Sequence, residues 1–311
     1  MQPSEASPDR TLVGQTVNAL DGSAAVGLTV HVGSSSPATT DANGYFQAVV
    51  DGSGTYSATI VGTGIVVRET TLSGPTPDVT RLTLIPSSFD LTAFDEMFRS
   101  TNARLQRWTT RPKLIVLGTV MSYGGNGASD HVAKEESIPD EEIAEMVAHL
   151  TEGLSLLTGG TYERFASVDV DRSEAGARVS TARPGTIVVG RYSGIVTLAS
   201  TIGLGRWAED TDGSVVAGAM FLDRDFDQRD PRRRLLRIHE LGHALGYLHV
   251  ASRTSIMNPA IGPEPTEFDR DGAIVAFQRP PGNRTPDADP GTAARYSSGP
   301  SGGVHWVAPV H

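Results

Sequence analysis

The chain has 311 residues, 38% hydrophobic and 20% charged, with a formal net charge of −10 and no cysteine. That length predicts two domains or one domain with long appendages. The acidic balance excludes a general nucleic-acid binder, and the missing thiols exclude both a disulfide framework and a cysteine-ligated metal site. No apolar run approaches membrane-spanning length, and the opening residues MQPSEASPDR lack the apolar core of a signal peptide.

Residues 1–9 read as a flexible start. Residues 10–86 then alternate apolar and polar positions in short β-branched runs (TLVGQTV, GLTVHV, GYFQAVV, GTYSATIV, IVVRETTL, VTRLTLI), broken by Gly, Asp, Asn and Pro every eight to twelve residues. This pattern predicts a small β-sandwich. The turn TTDANGYFQAVV, with Asp41 to Gly44 at its tip, resembles carboxypeptidase-regulatory-like domains of transthyretin-like fold. The resemblance implies an accessory interaction module.

After Pro86 the period changes. Leu91, Phe94, Met97, Phe98, Leu105 and Trp108 share a helical face, predicting an amphipathic helix that ends before Pro112. KLIVLG from Lys113 reads as a buried strand and SYGGNGASDH, ending at His131, as a flexible loop. Ser137 and Asp140 have capping-box spacing ahead of a second helix, with Ile143, Met146, Val147, Leu150, Leu154 and Leu157 as its stripe and Gly159–Gly160 as its stop. His149 has no evident partner and reads as a bystander. Residues 165–170 and 185–189 read as further strands, as does the run DGSVVAGAMFLD over 212–223. Asp230 at an N-cap and Pro231 at the first helical position then launch a third helix, whose arginines at 232, 233, 234 and 237 read as a solvated face.

That helix carries HELGHALGYLH, residues 239–249. Two histidines four apart project from one helical face, so His239 and His243 can reach one metal ion, with Glu240 at the edge of the same face. Gly246 permits a positive φ and a sharp exit that returns His249 as a third ligand. Three ligands leave one coordination position open, the arrangement of a catalytic rather than a structural zinc. Met257 follows in SIMNP.

The extended spacing HExxHxxGxxH with a following methionine resembles the metzincin clan of zinc metallopeptidases. The resemblance covers residues 89–278 and implies an α+β fold: a sandwich (10–86), then a catalytic domain (87–280) with a mixed twisted sheet and three main helices. It implies Zn2+ as cofactor, His239, His243 and His249 as its ligands, Glu240 as general base, and Met257 as the Met-turn floor. It further implies that residues 212–223 form the antiparallel edge strand beside the cleft, making Gly218, Ala219 and Met220 candidate backbone contacts to a peptide or protein substrate. The loop PAIGPEP is expected to shape the pocket for the residue after the scissile bond. Val250 and Asn258–Pro259 depart from the residues that mark several named branches, so the clan is better defined than the family.

The function implied is zinc-dependent endopeptidase activity. The alternative is a non-catalytic or latent zinc-binding surface or adhesion protein, against which the retention of Glu240 argues. Zinc hydrolysis of a non-peptide amide is compatible with the same residues. Export or surface display, with the signal removed, is the expected localisation; finding the protein confined to cytosolic fractions would contradict it. Asp223, Asp225 and Asp227, and Asp169 and Asp171, have spacing that suits Ca2+, but a calcium loop needs more ligands and solvated acids are the expected reading. Residues 281–311 are Pro/Gly/Ser-rich and read as a mobile tail, with the apolar segment VHWVAPVH as a surface strand or a loose end rather than a plug over the metal.

Overall fold

The computed structural model describes residues 10–75, 78–99, 103–124, 130–291 and 305–307. The chain is α+β and divides into two units, one built from the chain up to Leu91 together with the stretch from Gln278, the other from Thr92–Phe277 together with the stretch from Ser301.

The first unit is a β-sandwich. Its strands are β1 (Thr11–Asn18), β2 (Thr29–Val32), β3 (Ala38–Thr39), β4 (Tyr45–Val49), β5 (Gly54–Val61), β6 (Arg68–Gly74) and β7 (Thr80–Leu84). They form one sheet in the order β4-β1-β7 and another in the order β3-β2-β5-β6. Alternate residues of both face inward: Leu12, Phe46, Leu82 and Leu84 from one sheet meet Val30, Val32, Ile60 and Leu72 from the other. Asp41 organises the turn before β4, its Oδ1 accepting the amides of Asn43 at 2.9 Å and Tyr45 at 2.8 Å.

The stretch from Gln278 corrects the expected domain limit and the first part, residues 281–291, of the expected loose tail. The Glu69 amide donates to the Asp287 carbonyl at 2.9 Å and the Asp289 amide to the Glu69 carbonyl at 2.8 Å, so this segment pairs with β6. Asp287, fully buried, receives both Arg279 (2.7 and 2.8 Å) and Arg68 (2.8 Å). Asp289 receives Arg68 and Thr70 at 2.6 and 2.7 Å. Composition marked this segment as loose, but its acids neutralise arginines that the sandwich buries. The rest of the expected tail, apart from 305–307, lies outside the described residues.

The second unit contains one mixed sheet with helices. It runs α1 (Leu91–Phe98), β8 (Arg107–Trp108), β9 (Lys113–Leu117), β10 (Thr119–Ser122), β11 (Asp130–Ser137), α2 (Asp140–Leu157), β12 (Val168–Asp171), β13 (Arg178–Ser180) and β14 (Thr186–Ser193). There follow α3 (Ile195–Ala199), β15 (Gly203–Glu209), β16 (Ser214–Asp223), α4 (Arg224–Arg229), α5 (Arg233–Ala244), α6 (Glu267–Phe277) and β17 (His305–Val307). The sheet order is β13-β11-β10-β14-β16-β15-β17, with β9 pairing β12 and β14, and β8 pairing β16. β14 is parallel to β9, β10 and β16, whereas β15 is antiparallel to β16. No helix among the described residues is long and apolar enough to cross a membrane.

Several local expectations change. α1 ends at Phe98, and Leu105 and Trp108 are buried outside it, Trp108 on β8. Only the ends of the expected loop at 122–131 are strand: Ser122 closes β10, Asp130 and His131 open β11, which pairs antiparallel with β10, and His131 is buried against Tyr192 and Phe221, while residues 125–129 lie outside the described set. Pro139, not Ser137, caps α2 and supplies no side-chain bond; the acidic first turn Asp140, Glu141 and Glu142 complements the helix dipole instead. α5 starts at Arg233, because Asp230 and Pro231 form a turn in which the Asp230 carboxylate takes the Arg232 amide at 2.8 Å.

α2 and α5 pack closely at Gly153, where a β-carbon would lie 3.2 Å from Ile238 and from Leu241. α5 in turn lies against β15 and β16. This sets the helix that carries His239 and His243 between α2 and strands β15 and β16.

Candidate metal centre

α5 presents His239 and His243 on one face, and its C-terminal exit presents His249. Gly246 has φ +103°, and the amides of Gly246 and Tyr247 close the helix end on His243 and Gly242 at 2.9 Å each. The reversal works because glycine has no Cβ to resist that conformation. The Tyr247 hydroxyl donates to the Leu157 carbonyl and the Leu248 amide to Met97 at 2.9 Å, which fixes the strand of chain leading to His249.

The three histidines converge. Their Nε2 atoms lie 3.2, 3.2 and 3.3 Å apart, pair by pair. Four-coordinate zinc with Zn–N bonds of about 2.0–2.1 Å requires ligand nitrogens about 3.3–3.4 Å apart, so the triangle has the size of one face of a zinc tetrahedron. Orientation is also set. His239 Nδ1 is 2.8 Å from the Ile256 carbonyl and His243 Nδ1 is 2.7 Å from the Tyr247 carbonyl. A carbonyl can only accept, so both Nδ1 atoms carry the proton and both Nε2 atoms present lone pairs. This group can hold a metal ion, and it is the group of that kind found among the described residues.

Glu240 lies beside it, 3% exposed, and its Oε2 has no hydrogen-bond partner. Burial alone pushes this carboxyl well above the usual carboxylate range. A buried acid oxygen without a protein donor, next to three aimed imidazoles, fits a cation and its water.

Met257 sits beneath. A β-carbon on Gly242 would lie 2.3 Å from its Sδ, so the methionine packs directly on the helix between the two histidines. Asn258, where the sequence departs from the tyrosine of one related branch, ties the loop together: its Nδ2 donates to Val250 at 2.7 Å and Arg253 at 2.8 Å, while its Oδ1 accepts from Ser255 at 3.1 Å.

Asp269 on α6 was not singled out in the sequence. It is fully buried and its carboxylate accepts the Ile256 amide at 3.1 Å, the Thr266 amide at 2.7 Å and the Ser255 hydroxyl. Ile256 is the residue whose carbonyl orients His239, so Asp269 reaches the histidine group through one backbone unit. Replacing Asp269 with alanine is expected to weaken metal binding by about 10–100-fold in chelator competition. Unchanged affinity would contradict this role.

β16 is not the edge strand: β15 lies outside it, and β17 pairs with part of β15 in turn. Gly218, Ala219 and Met220 pair on one side with Ile187, Val188 and Val189 and on the other with Trp207, Arg206 and Gly205. Their backbone is therefore committed to the sheet interior and cannot receive a substrate strand. β15 passes directly over α5. A β-carbon at 203 would fall 2.4 Å from Glu240 Oε1, and one at 205 would fall 2.3 Å from His243 Cβ, so glycine at both positions permits the approach. The same two glycines weaken the strand pattern in GLGRWAE, which hid it in the sequence.

A cleft of about 310 Å³ opens at His239 and Glu240, lined also by Val196, Ser200, Thr201, Ile202, Pro259, Ala260 and Ile261. The Pro259–Ile261 side belongs to the loop expected to shape a pocket; the α3 side was missed.

The candidate calcium ligands have other partners. Asp223 caps α4 by accepting the amides of Asp225 and Phe226, Asp227 binds Arg191 and Arg237, and Asp171 binds Arg183 and Ser173. Arg237 is fully buried rather than solvated, and His149, inside α2, receives it at 2.9 Å. No protein-family model matches the sequence, and no curated protein matches it either.

Proposed function

We propose that the chain is a zinc-dependent endopeptidase, with His239, His243 and His249 holding the ion and Glu240 as general base. The observation that carries the reading is the convergence of three Nε2 atoms 3.2–3.3 Å apart beside a buried carboxylate oxygen that has no protein partner. A structural site has no use for that carboxylate, and its presence sets this reading above a non-catalytic metal-binding module.

Zinc bound there would supply a water of lowered pKa and a Lewis acid for the carbonyl. Glu240 takes the proton of the attacking water at Oε2 and delivers it to the departing amine nitrogen. Gly203 and Gly205 keep the β15 backbone against this carboxylate and leave it no room to swing toward the sheet. The apolar lining from Val196, Ile202, Pro259, Ala260 and Ile261 favours an apolar side chain next to the scissile bond.

A peptide library incubated with the zinc-loaded protein, with and without a chelator, tests this. Chelator-sensitive cleavage with an apolar residue enriched after the cut is expected. Metal uptake without any cleavage would overturn the peptidase reading and favour the binding-module alternative.

A further inference from the structure

Polar side chains enter the wall of the cleft beside His239 and Glu240 at Ser200 and Thr201. Thr201 is committed, its hydroxyl donating to the Gly203 carbonyl at 3.0 Å. His239 is committed too, with Nδ1 on the Ile256 carbonyl and Nε2 among the other histidines, and Glu240 is the base of the proposed reaction. Ser200 is exposed to the cleft, and its hydroxyl has no hydrogen-bond partner among the described residues.

Its backbone is as unusual as its side chain is free. Ser200 has φ +54°, and among the described residues Ala103 is the other non-glycine residue with a positive φ. In this left-handed region a β-carbon is strained and glycine is not. The Ser200 amide closes α3 on the Val196 carbonyl at 3.1 Å. Glycine would end that short helix without strain, as Gly194, φ +95°, begins it. A strained serine in the wall of a cleft therefore argues for a use of its side chain. The segment is also anchored on both sides: Ile195 is fully buried in the core, and the Asp223 amide donates to the Ile202 carbonyl at 2.8 Å.

We propose that Ser200 is a substrate-contact residue, its hydroxyl hydrogen-bonding the backbone of a peptide that lies in the cleft. The proposal rests on the peptidase reading for the nature of the ligand. A hydroxyl both donates and accepts, so it can meet a peptide N–H or a peptide carbonyl. The rest of the wall, from Val196, Ile202 and Pro259 to Ile261, is apolar and takes the side chain. The Ser200 contact is thus indifferent to peptide sequence. Losing one uncharged hydrogen bond lowers affinity by about three- to tenfold.

The test uses three full-length proteins, each carrying Glu240→Ala so that bound peptide stays intact and each equilibrated with Zn2+: the parent, one with Ser200→Ala and one with Ser200→Gly. Alanine keeps the strained backbone and glycine relaxes it, and both remove the hydroxyl. The probe is a mixture of acetylated hexapeptide amides randomised at every position, with the retained fraction measured by mass spectrometry after rapid filtration. Both variants are expected to retain about three- to tenfold less peptide than the parent with unchanged residue preferences, and the glycine variant to melt no lower than the parent. A serine needed only for the turn predicts instead that the glycine variant binds as well as the parent. Retention by either variant equal to the parent's, or no retention by the parent, would overturn the proposal. Capture that depends on Ser200, alongside wild-type protein inert toward the same mixture, would refute the peptidase reading and leave the contact standing. Cleavage by wild type with capture independent of Ser200 would do the reverse.

Discussion

Glu240→Ala is expected to keep its metal and lose turnover by about 10²–10⁴-fold, the usual contribution of a positioned general base. That corresponds to about 3–5 kcal/mol in the barrier. Metal retention follows from the geometry, since His239 and His243 are oriented by the carbonyls of Ile256 and Tyr247 and owe nothing to the carboxylate. Glu240→Gln, which keeps the shape, sharpens the test. The native carboxyl is buried without a donor on Oε2, so the amide variant of the metal-free protein is expected to melt no lower than wild type. Metal content and kcat measured on the same preparations decide the matter. A Glu240→Ala enzyme that holds metal and cleaves at the wild-type rate would rule out the assigned role.

Asp227→Ala is expected to be the most destabilising single change in the second unit, at about 3–5 kcal/mol. Asp227 is fully buried, and its two oxygens accept from Arg237 at 2.7 and 3.0 Å and from Arg191 at 2.6 Å. Both guanidiniums are buried as well, with Glu142 holding Arg191 and Glu145 holding Arg237 from the outer side. Glu145 is itself held down at about 2, first by its hydrogen bond from Arg233 and then by that from Arg237. Removing Asp227 strands two cations that these outer partners only partly neutralise. Arg237 lies two residues before His239, so the loss also loosens the start of α5. Urea unfolding measures it; a loss below about 1 kcal/mol, within the range of ordinary surface changes, would contradict the account. Joint replacement of Asp227, Arg191 and Arg237 by apolar residues is expected to recover much of the loss, because it leaves no charge behind.

The three histidines that could hold a metal were legible because their geometry is local. A four-residue helical spacing and a glycine exit fix His239, His243 and His249 without reference to the rest of the chain. The sandwich strands were legible for a similar reason, their alternation being a property of each segment. What failed depended on distant partners. The stretch after Gln278 reads as loose until Arg68, 219 residues from Asp287, is placed beside it. β16 reads as a strand, but whether it lies inside the sheet or at its edge depends on β15, whose glycines serve the approach to α5 and dilute its own signal. The nearly continuous burial of β16 is the mark of an interior strand. The arginines of α5 read as a solvated face because the acid that buries Arg237 lies on α4, in a separate turn.

The measurement closest to the central claim is metal stoichiometry, by elemental analysis, of the wild-type protein and of His239→Ala, His243→Ala and His249→Ala after equilibration with limiting Zn2+. One tightly held ion in the wild type, with affinity greatly reduced in every variant, is the expected result. Wild-type protein that takes up no metal, or histidine variants that hold it as well as wild type, would contradict the account.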